Sequence, residues 1–283
     1  MLKYKETSHF SKALSVGMSG GKAMTFNIVS LMWIRTVLNY QYRHGTSFSK
    51  TIKLLYKEGG IKRFYSGFTF ALIQGPLVRF FDTFSNSLVL EMTSKYELPI
   101  FMKTILSSLI ASSFKVALAP LDTLKTMYQI EGKLAPRIIK NKISEYGIST
   151  LYHGISASVL SGFIGHYPWF VVHNYLDVLV PKYKDNKQKI ILRNALIGFL
   201  ASSAASATSN FMRVIKTSRQ TSVINRSYVQ VVEKIRRKSG WKGVLFRGLG
   251  VRLLSNGIQG LCFNVIWKYI QSEKNKKKKN NKL

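Results

Sequence analysis

The sequence predicts an all-α membrane protein of six transmembrane helices, arranged in three pseudo-symmetric repeats of about 90 residues. Three observations support this fold class. Two short landmarks recur in the same order three times along the chain, six long stretches carry almost no charge, and a high apolar content accompanies a strongly basic net charge. A repeat sets the architecture before any local pattern does, because each copy has to form the same unit.

The landmarks define the repeats and their boundaries. The first landmark is a five-residue pattern that begins with a basic residue and threonine and ends with asparagine or glutamine, and it occurs at Arg35–Asn39, Lys125–Gln129 and Lys216–Gln220. The second is an aromatic residue followed after one position by glycine, about 30 residues further on, and its glycines are Gly67, Gly154 and Gly248. The phase of the two landmarks predicts repeats at residues 11–95, 100–180 and 190–272, followed by a basic disordered tail at 273–283.

The stretches between the landmarks place the transmembrane helices. Six stretches are nearly free of charge, two in each repeat: residues 16–34, 67–90, 100–121, 154–176, 194–212 and 253–267. Each approaches the roughly 20 residues needed to cross a bilayer. The alternative is six buried helices of a large soluble bundle, but a soluble helix usually carries a charged outer face. The basic, amphipathic segments at 49–56, 138–144 and 228–238 predict short helices at the membrane surface.

Composition limits the partners and the chemistry. The chain has 283 residues, 46% of them hydrophobic and 19% charged, with a net charge of +31 and a mean hydropathy of +0.02. Such a charge suits nucleic acid or an anionic lipid surface. The uncharged stretches favour lipid, so we expect no nucleic-acid partner; a soluble nucleic-acid binder is the alternative that charge alone suggests. The five histidines are scattered and no metal-ligand spacing or catalytic motif occurs, so we expect neither an enzyme nor a cofactor.

One segment resembles a known family. Pro120-Leu121-Asp122-Thr123-Leu124-Lys125 has the Pro-x-[Asp/Glu]-x-x-[Lys/Arg] form that ends each odd-numbered helix in mitochondrial carriers, and residues 58–67 and 242–248 resemble the linkers of that family. The resemblance implies six tilted transmembrane helices around a central cavity, with three short helices on the matrix side. It also implies a transporter of the mitochondrial inner membrane that moves a small-molecule solute by alternating access.

The resemblance implies a gate on the matrix side. In the family, an acidic residue of each odd-numbered helix pairs with the basic residue of the next one. The aligned acid and base positions are Met32 and Arg35, Asp122 and Lys125, and Arg213 and Lys216. Since Asp122 is the only acid among them, at most one family-type pair is expected, between Asp122 and Lys216. Excess positive charge in a partly desolvated site is unfavourable, so the sequence predicts a weakly held gate.

The resemblance also indicates a substrate site. Distances from the repeat glycines place its contact points at Gln74, Ser161, Gly162, Ser255 and Asn256. Ionisable groups lie nearby at Arg79, Asp82 and His166, and Lys115 lies one turn before the proline. The positive charges favour an anionic solute, and the carboxylate allows a zwitterionic one. The alternative for Arg79 is a structural ion pair with Asp82, three residues further along the helix.

The repeat glycines point to a lipid partner. Backbone N–H groups at a helix start can hold phosphate, and in mitochondrial carriers such turns bind cardiolipin, so Gly67, Gly154 and Gly248 are predicted lipid contacts. Turn formation alone would also explain these glycines.

Two further alternatives stay open. The poor gate allows a carrier-shaped membrane protein that no longer transports and serves as an interaction or structural protein, and the last three residues resemble a weak peroxisomal address.

Overall fold

The computed structural model describes residues 2–94, 96, 98–183 and 186–259, and these residues form helices and short connections with no strand. The helices are α1 Leu2–His44, α2 Phe48–Phe64, α3 Phe68–Met92, α4 Ile100–Ala117, α5 Ala119–Glu131, α6 Ala135–Tyr146, α7 Ile155–Leu179, α8 Lys187–Gln220, α9 Tyr228–Phe246 and α10 at 249–259. The end of the third repeat and the predicted tail at 273–283 lie outside the described residues.

The three repeats share one order of elements. Each begins with a long helical segment, continues with a shorter amphipathic helix and goes on with a further helix, namely α1-α2-α3, α4/α5-α6-α7 and α8-α9-α10, of which α10 is described as far as residue 259. The short helices α2, α6 and α9 fall on the segments predicted to lie at the membrane surface, and they are longer than predicted. Helix α9 begins with a capping box, in which the Ser227 hydroxyl accepts from the Gln230 N–H at 3.2 Å and the Gln230 side chain accepts from the Ser227 N–H at 2.9 Å.

The first long segments of the repeats differ in how they bend. Helix α1 has a non-helical residue at Leu31, with φ −123° and ψ 15°. In the second repeat the helix breaks at Leu118, just before Pro120, and α4 meets the following helix at 65°. Pro120 lies in the first turn of α5, where its missing N–H costs no helical hydrogen bond, so it marks the start of the new helix. Helix α8 contains no proline and runs without a break from Lys187 to Gln220.

Length and composition alone identify part of the membrane-spanning set. Among the described residues, the helical stretches Ile148–Leu179 and Gln188–Gln220 are each long and apolar enough to cross a bilayer. A third crossing follows if Met102–Ala117 and Ala119–Tyr146 form one broken span. In the first repeat, charged residues such as Arg79 and Asp82 lower the mean hydropathy of α3. The two membrane crossings expected for this repeat are therefore inferred from its equivalence to the other repeats and not from its composition.

The described chain forms two compact units. The first contains residues up to Phe163 together with Asn210–Gly248, and the second contains Ile164–Ser209 and the chain from Leu249 onward. In the first unit, α1 packs closely on α3 through small residues: a Cβ atom on Gly17 would lie 2.8 Å from the Phe80 ring. Small residues let membrane helices approach where hydrophobic burial cannot drive association.

In the second unit, a buried arginine in the second turn of α8 contacts the end of α7. The Arg193 guanidinium forms an ion pair with the Asp177 carboxylate at 2.8 Å. It also donates to the backbone carbonyl oxygens of Asp177 and Val180, at 2.6 and 3.0 Å. These carbonyls end α7 and lack helical partners, so a cation there satisfies the acceptors and opposes the negative end of the helix dipole.

Candidate functional site

The repeat glycines join the three repeats to one another within the first unit. All three have a left-handed backbone, with φ of +79°, +88° and +69° at Gly67, Gly154 and Gly248. A Cβ atom on any of them would lie between 2.9 and 3.1 Å from the first long segment of another repeat. The contacts are Gly67 with Lys125 and Tyr128, Gly154 with Lys216 and Gln220, and Gly248 with Leu38 and Tyr42. Glycine is therefore required here by both the turn and the packing.

A second set of contacts closes each repeat on itself, and the sequence analysis missed it. In every repeat a buried polar side chain of the first long segment donates to the carbonyl oxygen three residues before the repeat glycine, at 2.7 Å. The pairs are Thr36 with Phe64, Thr123 with Leu151, and Asn210 with Leu245. In the sequence, these contacts correspond to a polar residue that recurs every 87 positions. The recurrence is difficult to recognise because the same helices contain other polar residues.

The centre of the predicted gate is an ion triad around Asp122. Its carboxylate lies 2.6 Å from the Lys216 ammonium and 2.8 Å from the Lys125 ammonium. The Gln220 side-chain amide donates to the same carboxylate at 3.2 Å. The three charged side chains are only 15, 20 and 18% exposed, for Asp122, Lys216 and Lys125. The inter-repeat pair that the sequence allowed is present, and an intrahelical pair accompanies it.

The other gate positions are arranged differently. Met32 is fully buried, and it packs in an apolar cluster with Ile28 and Ala71. The Arg35 guanidinium donates to the Asn27 amide oxygen at 2.7 Å, and Arg213 is half-buried on α8. Within the described part of the chain, these six positions therefore contain one carboxylate against four cations.

Neutral amides connect the repeats beside this triad. The Asn39 amide donates to the Gln129 side-chain oxygen at 2.6 Å, and Gln220 donates to Asp122 as described above. These three residues stand four positions after the basic residue of each landmark. The amide that ends each landmark could be recognised in the sequence. Its hydrogen-bond partner could not, because the partner depends on how the helices pack.

Four of the predicted substrate residues lie on α3 and α4 of the first unit: Gln74, Arg79, Asp82 and Lys115. Gln74 is buried, and its side-chain oxygen accepts from the Lys125 ammonium at 2.9 Å. The Asp82 carboxylate lies 2.9 Å from the Lys115 ammonium on α4. The alternative pair of Arg79 with Asp82 is wrong, because the carboxylate faces α4. Arg79 is exposed and forms no ion pair with any described residue.

The remaining substrate positions divide between the two units. In the first, Ser161 is buried with a hydroxyl that has no hydrogen-bond partner among the described residues, and the Cα of Gly162 faces open space. In the second, His166 is exposed on α7, the Ser255 hydroxyl accepts from Gln259 at 2.8 Å, and the Asn256 amide donates to the Ser206 hydroxyl at 3.0 Å. Among the predicted substrate positions that the structure describes, Ser161 therefore has a buried hydroxyl with unused hydrogen-bonding capacity.

Comparison with known proteins identifies the family. The model of the family described as "Mitochondrial carrier protein" matches three successive segments of the chain, residues 6–97, 99–184 and 187–278. A comparison with curated protein sequences gave no match. The threefold match spans nearly the whole chain, and the described residues form helices in three equivalent sets, so the predicted fold class is confirmed. The protein is a membrane protein built of three repeats, and it belongs to the mitochondrial carrier family.

Proposed function

We propose that this protein moves a small anionic or zwitterionic metabolite across the mitochondrial inner membrane by alternating access. Family membership supports solute transport and not catalysis. One observation carries the solute class and the mechanism: the Lys125 ammonium is shared between Asp122 of the ion triad and Gln74 of the predicted substrate site, at 2.8 and 2.9 Å. The substrate site and the gate therefore have one cation in common.

This shared cation couples binding to opening. An anionic group of the solute that reaches Gln74 competes with Asp122 for the Lys125 ammonium. The triad then loses one of its two ion pairs, and the free energy needed to separate Asp122 from Lys216 falls. A ligand shifts a conformational equilibrium only by its differential affinity for the two states. A negative solute has that differential affinity here, because its favoured partner is the ammonium that restrains the closed state.

The charges near the triad define the solute further. Arg35, Lys125 and Lys216 outnumber Asp122, so the unbound site carries an excess of positive charge. The pair of Asp82 with Lys115 is about one third exposed and offers both signs of charge. A solute with a carboxylate or phosphate meets the excess cations, and an amino group of a zwitterionic solute has the Asp82 carboxylate as its partner.

Transport in liposomes tests the proposal. The full chain is purified in mild detergent, reconstituted with cardiolipin and phosphatidylcholine, and supplied with radiolabelled keto acids, amino acids and phosphate esters. We expect uptake of at least one of them above protein-free liposomes. Lys115→Gln removes a charged hydrogen-bond partner worth about 1.5–3 kcal/mol, so uptake of the transported solute should fall about tenfold or more. Lys103→Gln on the same helix is the matched control and should leave uptake unchanged; absence of uptake for every solute would refute the proposal.

The second candidate is a carrier-fold protein that does not transport and serves as an interaction or structural protein. The observation that favours it is the single carboxylate among the six described gate positions. Restoring an acid distinguishes the two, and Arg213 is the position for it, because Met32 is fully buried among apolar side chains. In a transporter, Arg213→Asp adds a possible ion pair to the gate and changes the rate of uptake. A scaffold shows no uptake with or without the substitution.

We also propose cardiolipin as the lipid partner at the repeat glycines, on the basis of the positive-φ turns that start α3, α7 and α10. Adding cardiolipin to delipidated protein in detergent should raise its melting temperature by several degrees, while phosphatidylcholine should not. Equal effects of the two lipids would contradict a specific headgroup contact.

A further inference from the structure

A basic cavity lies in the first unit, beside the short helix α9. Its volume is about 130 Å³, which exceeds several water molecules. Basic side chains dominate its wall: Arg43, His44, Arg226, Lys234, Lys238 and Arg247. None of the described residues that line it is acidic. The gate and the substrate residues lie elsewhere, so transport leaves this cavity unexplained.

The buried arginine of this cavity has a counterpart in the first repeat. Arg63 and Arg247 each lie over the glycine that ends a long helix, since a Cβ atom on Gly132 would be 2.8 Å from the Arg63 Nε and one on Gly45 would be 2.7 Å from the Arg247 Nε. Each also donates to the end of that helix, Arg63 to the Ile130 carbonyl at 2.6 Å and Arg247 to the Arg43 carbonyl at 3.5 Å. The two guanidinium groups thus occupy equivalent places.

The two arginines differ in their counter-charge. The Nε of Arg63 donates to the Glu58 carboxylate at 2.7 Å. Glu58 stands nine residues before the repeat glycine, and the residue at that place in the third repeat is Ser239. The Ser239 hydroxyl accepts from the Arg247 Nη2 at 2.7 Å. The Arg247 Nε has no acceptor among the residues that the structure describes, although Arg247 is only 8% exposed. A buried charged donor without an acceptor is costly, so the third repeat lacks an anion that the first repeat has built in.

The neighbouring charges do not supply that anion. Lys234 and Lys238 are exposed and form no ion pair with any described residue, and Arg226 donates to a neutral hydroxyl, that of Ser222, at 3.0 Å. The acid of the same helix, Glu233, is held by Arg236 and Arg237.

Titration properties agree with crowded positive charge at this cavity. Burial lowers the pKa of Arg43, although the Glu131 carboxylate acts in the opposite direction. Burial followed by the charge of Arg43 lowers the pKa of Arg247. Burial and the surrounding cations lower the pKa of His44 to about 4, so this imidazole is neutral at physiological pH and open to protonation beside an anion.

We infer that this cavity binds a phosphate-type anion, which takes the place that the Glu58 carboxylate has in the first repeat. Its oxygens accept from the Nε of Arg247 and are surrounded by Arg43, Arg226 and Lys234. Phosphate oxygens are strong acceptors for guanidinium groups, and two negative charges oppose the cations of the wall. Inorganic phosphate, a phosphorylated solute and a lipid headgroup share this chemistry.

The replacement of Ser239 by glutamate tests the inference without any transport measurement. The full chain is melted in lipid-free nonionic detergent, with sodium phosphate or with sodium chloride at equal ionic strength. Wild-type protein should melt about 2–4 °C higher in phosphate. Ser239→Glu supplies the carboxylate internally, so it should melt higher than the wild type in chloride and gain nothing from phosphate. Ser144→Glu on α6, exposed and outside the cavity, is the matched control and should keep the full response to phosphate.

A second variant and a lipid arm complete the experiment. Lys234→Gln removes an exposed cation that has no ion pair with any described residue, so it should weaken the response to phosphate several-fold without lowering the melting temperature in chloride. In the lipid arm, cardiolipin replaces sodium phosphate. If Ser239→Glu reduces the stabilisation by cardiolipin and Ser144→Glu does not, the cavity binds a headgroup phosphate. The inference is overturned if neither ligand stabilises the wild type, or if Ser239→Glu responds to both as the wild type does.

Discussion

Met32 and Asp122 stand at the same place in the first and second repeats, three residues before the basic residue of the landmark, and they hold their helices by opposite means. Met32 is fully buried in an apolar cluster with Ile28 and Ala71. Asp122 is nearly buried between two ammonium groups, at 2.6 and 2.8 Å. One repeat is thus held at this level by apolar packing and the other by ion pairs.

The difference determines which contact a charged solute can loosen. Apolar packing is indifferent to the charge of a ligand, whereas an ion pair in a partly desolvated site is weakened by any competing ion. In the third repeat the same place holds Arg213, a cation. Asp122 is therefore the one acid among the gate positions that the structure describes, and we expect its ion pairs to be the contact through which a solute acts.

The largest expected effect comes from removing that carboxylate. Asp122→Asn leaves the ammonium groups of Lys125 and Lys216 close together and nearly buried without a counter-charge. Removing one partner of a buried ion pair costs about 3–5 kcal/mol, so the melting temperature in detergent should fall by about 6–20 °C. In liposomes the same variant should release internal solute faster than the wild type.

Asp82→Asn is the matched control for this prediction. It also removes a carboxylate from an ion pair between two helices, but the pair with Lys115 is about one third exposed, and an exposed pair contributes about 1 kcal/mol or less. If the two substitutions lower the melting temperature equally, burial of the Asp122 triad is not what stabilises the closed gate.

A smaller effect is expected in the apolar counterpart. Met32→Ala opens a cavity beside Ile28 and Ala71, which should cost about 2–3 kcal/mol of stability. Because no charge is involved, the loss should stay the same between low and high salt, unlike that of Asp122→Asn. Met32→Leu keeps the volume and should cost less than about 1.5 kcal/mol. A salt-dependent loss in Met32→Ala would show that packing is not its cause.

The comparison also shows what the sequence could predict. The repeats and the short linker helices follow from spacing, because spacing is what a repeat conserves within one chain. The contact of Asp122 with Lys216 follows from the resemblance to the carrier family, which pairs an acid of one repeat with the base of the next. The partner of Asp82 does not follow from spacing. Its carboxylate pairs with Lys115 on a neighbouring helix, and only the packing of α3 against α4 decides between that partner and Arg79.

The bends show the same limit. A proline in the second repeat predicts the break at Leu118, but nothing in the sequence of α1 predicts the non-helical residue at Leu31. Leu31 directly precedes Met32 and is itself buried. The bend of α1 accompanies the packing of that apolar cluster and thus depends on the tertiary structure, which local propensity cannot report.

The smallest expected effect concerns the bend of the second repeat. Since α1 bends without a proline, packing alone can hold a bend at this level, and Pro120→Ala should leave the angle between α4 and α5 nearly unchanged. The variant should lose only about 0.4–1 kcal/mol, because alanine allows the unfolded chain more conformations. Spin labels at Leu109 on α4 and at Leu134 in the turn that follows α5, both exposed, report the angle as a distance in a background lacking Cys262. A distance that lengthens in Pro120→Ala would show that the proline ring, and not the ion triad and the packing around it, sets the bend that brings Asp122 to Lys216.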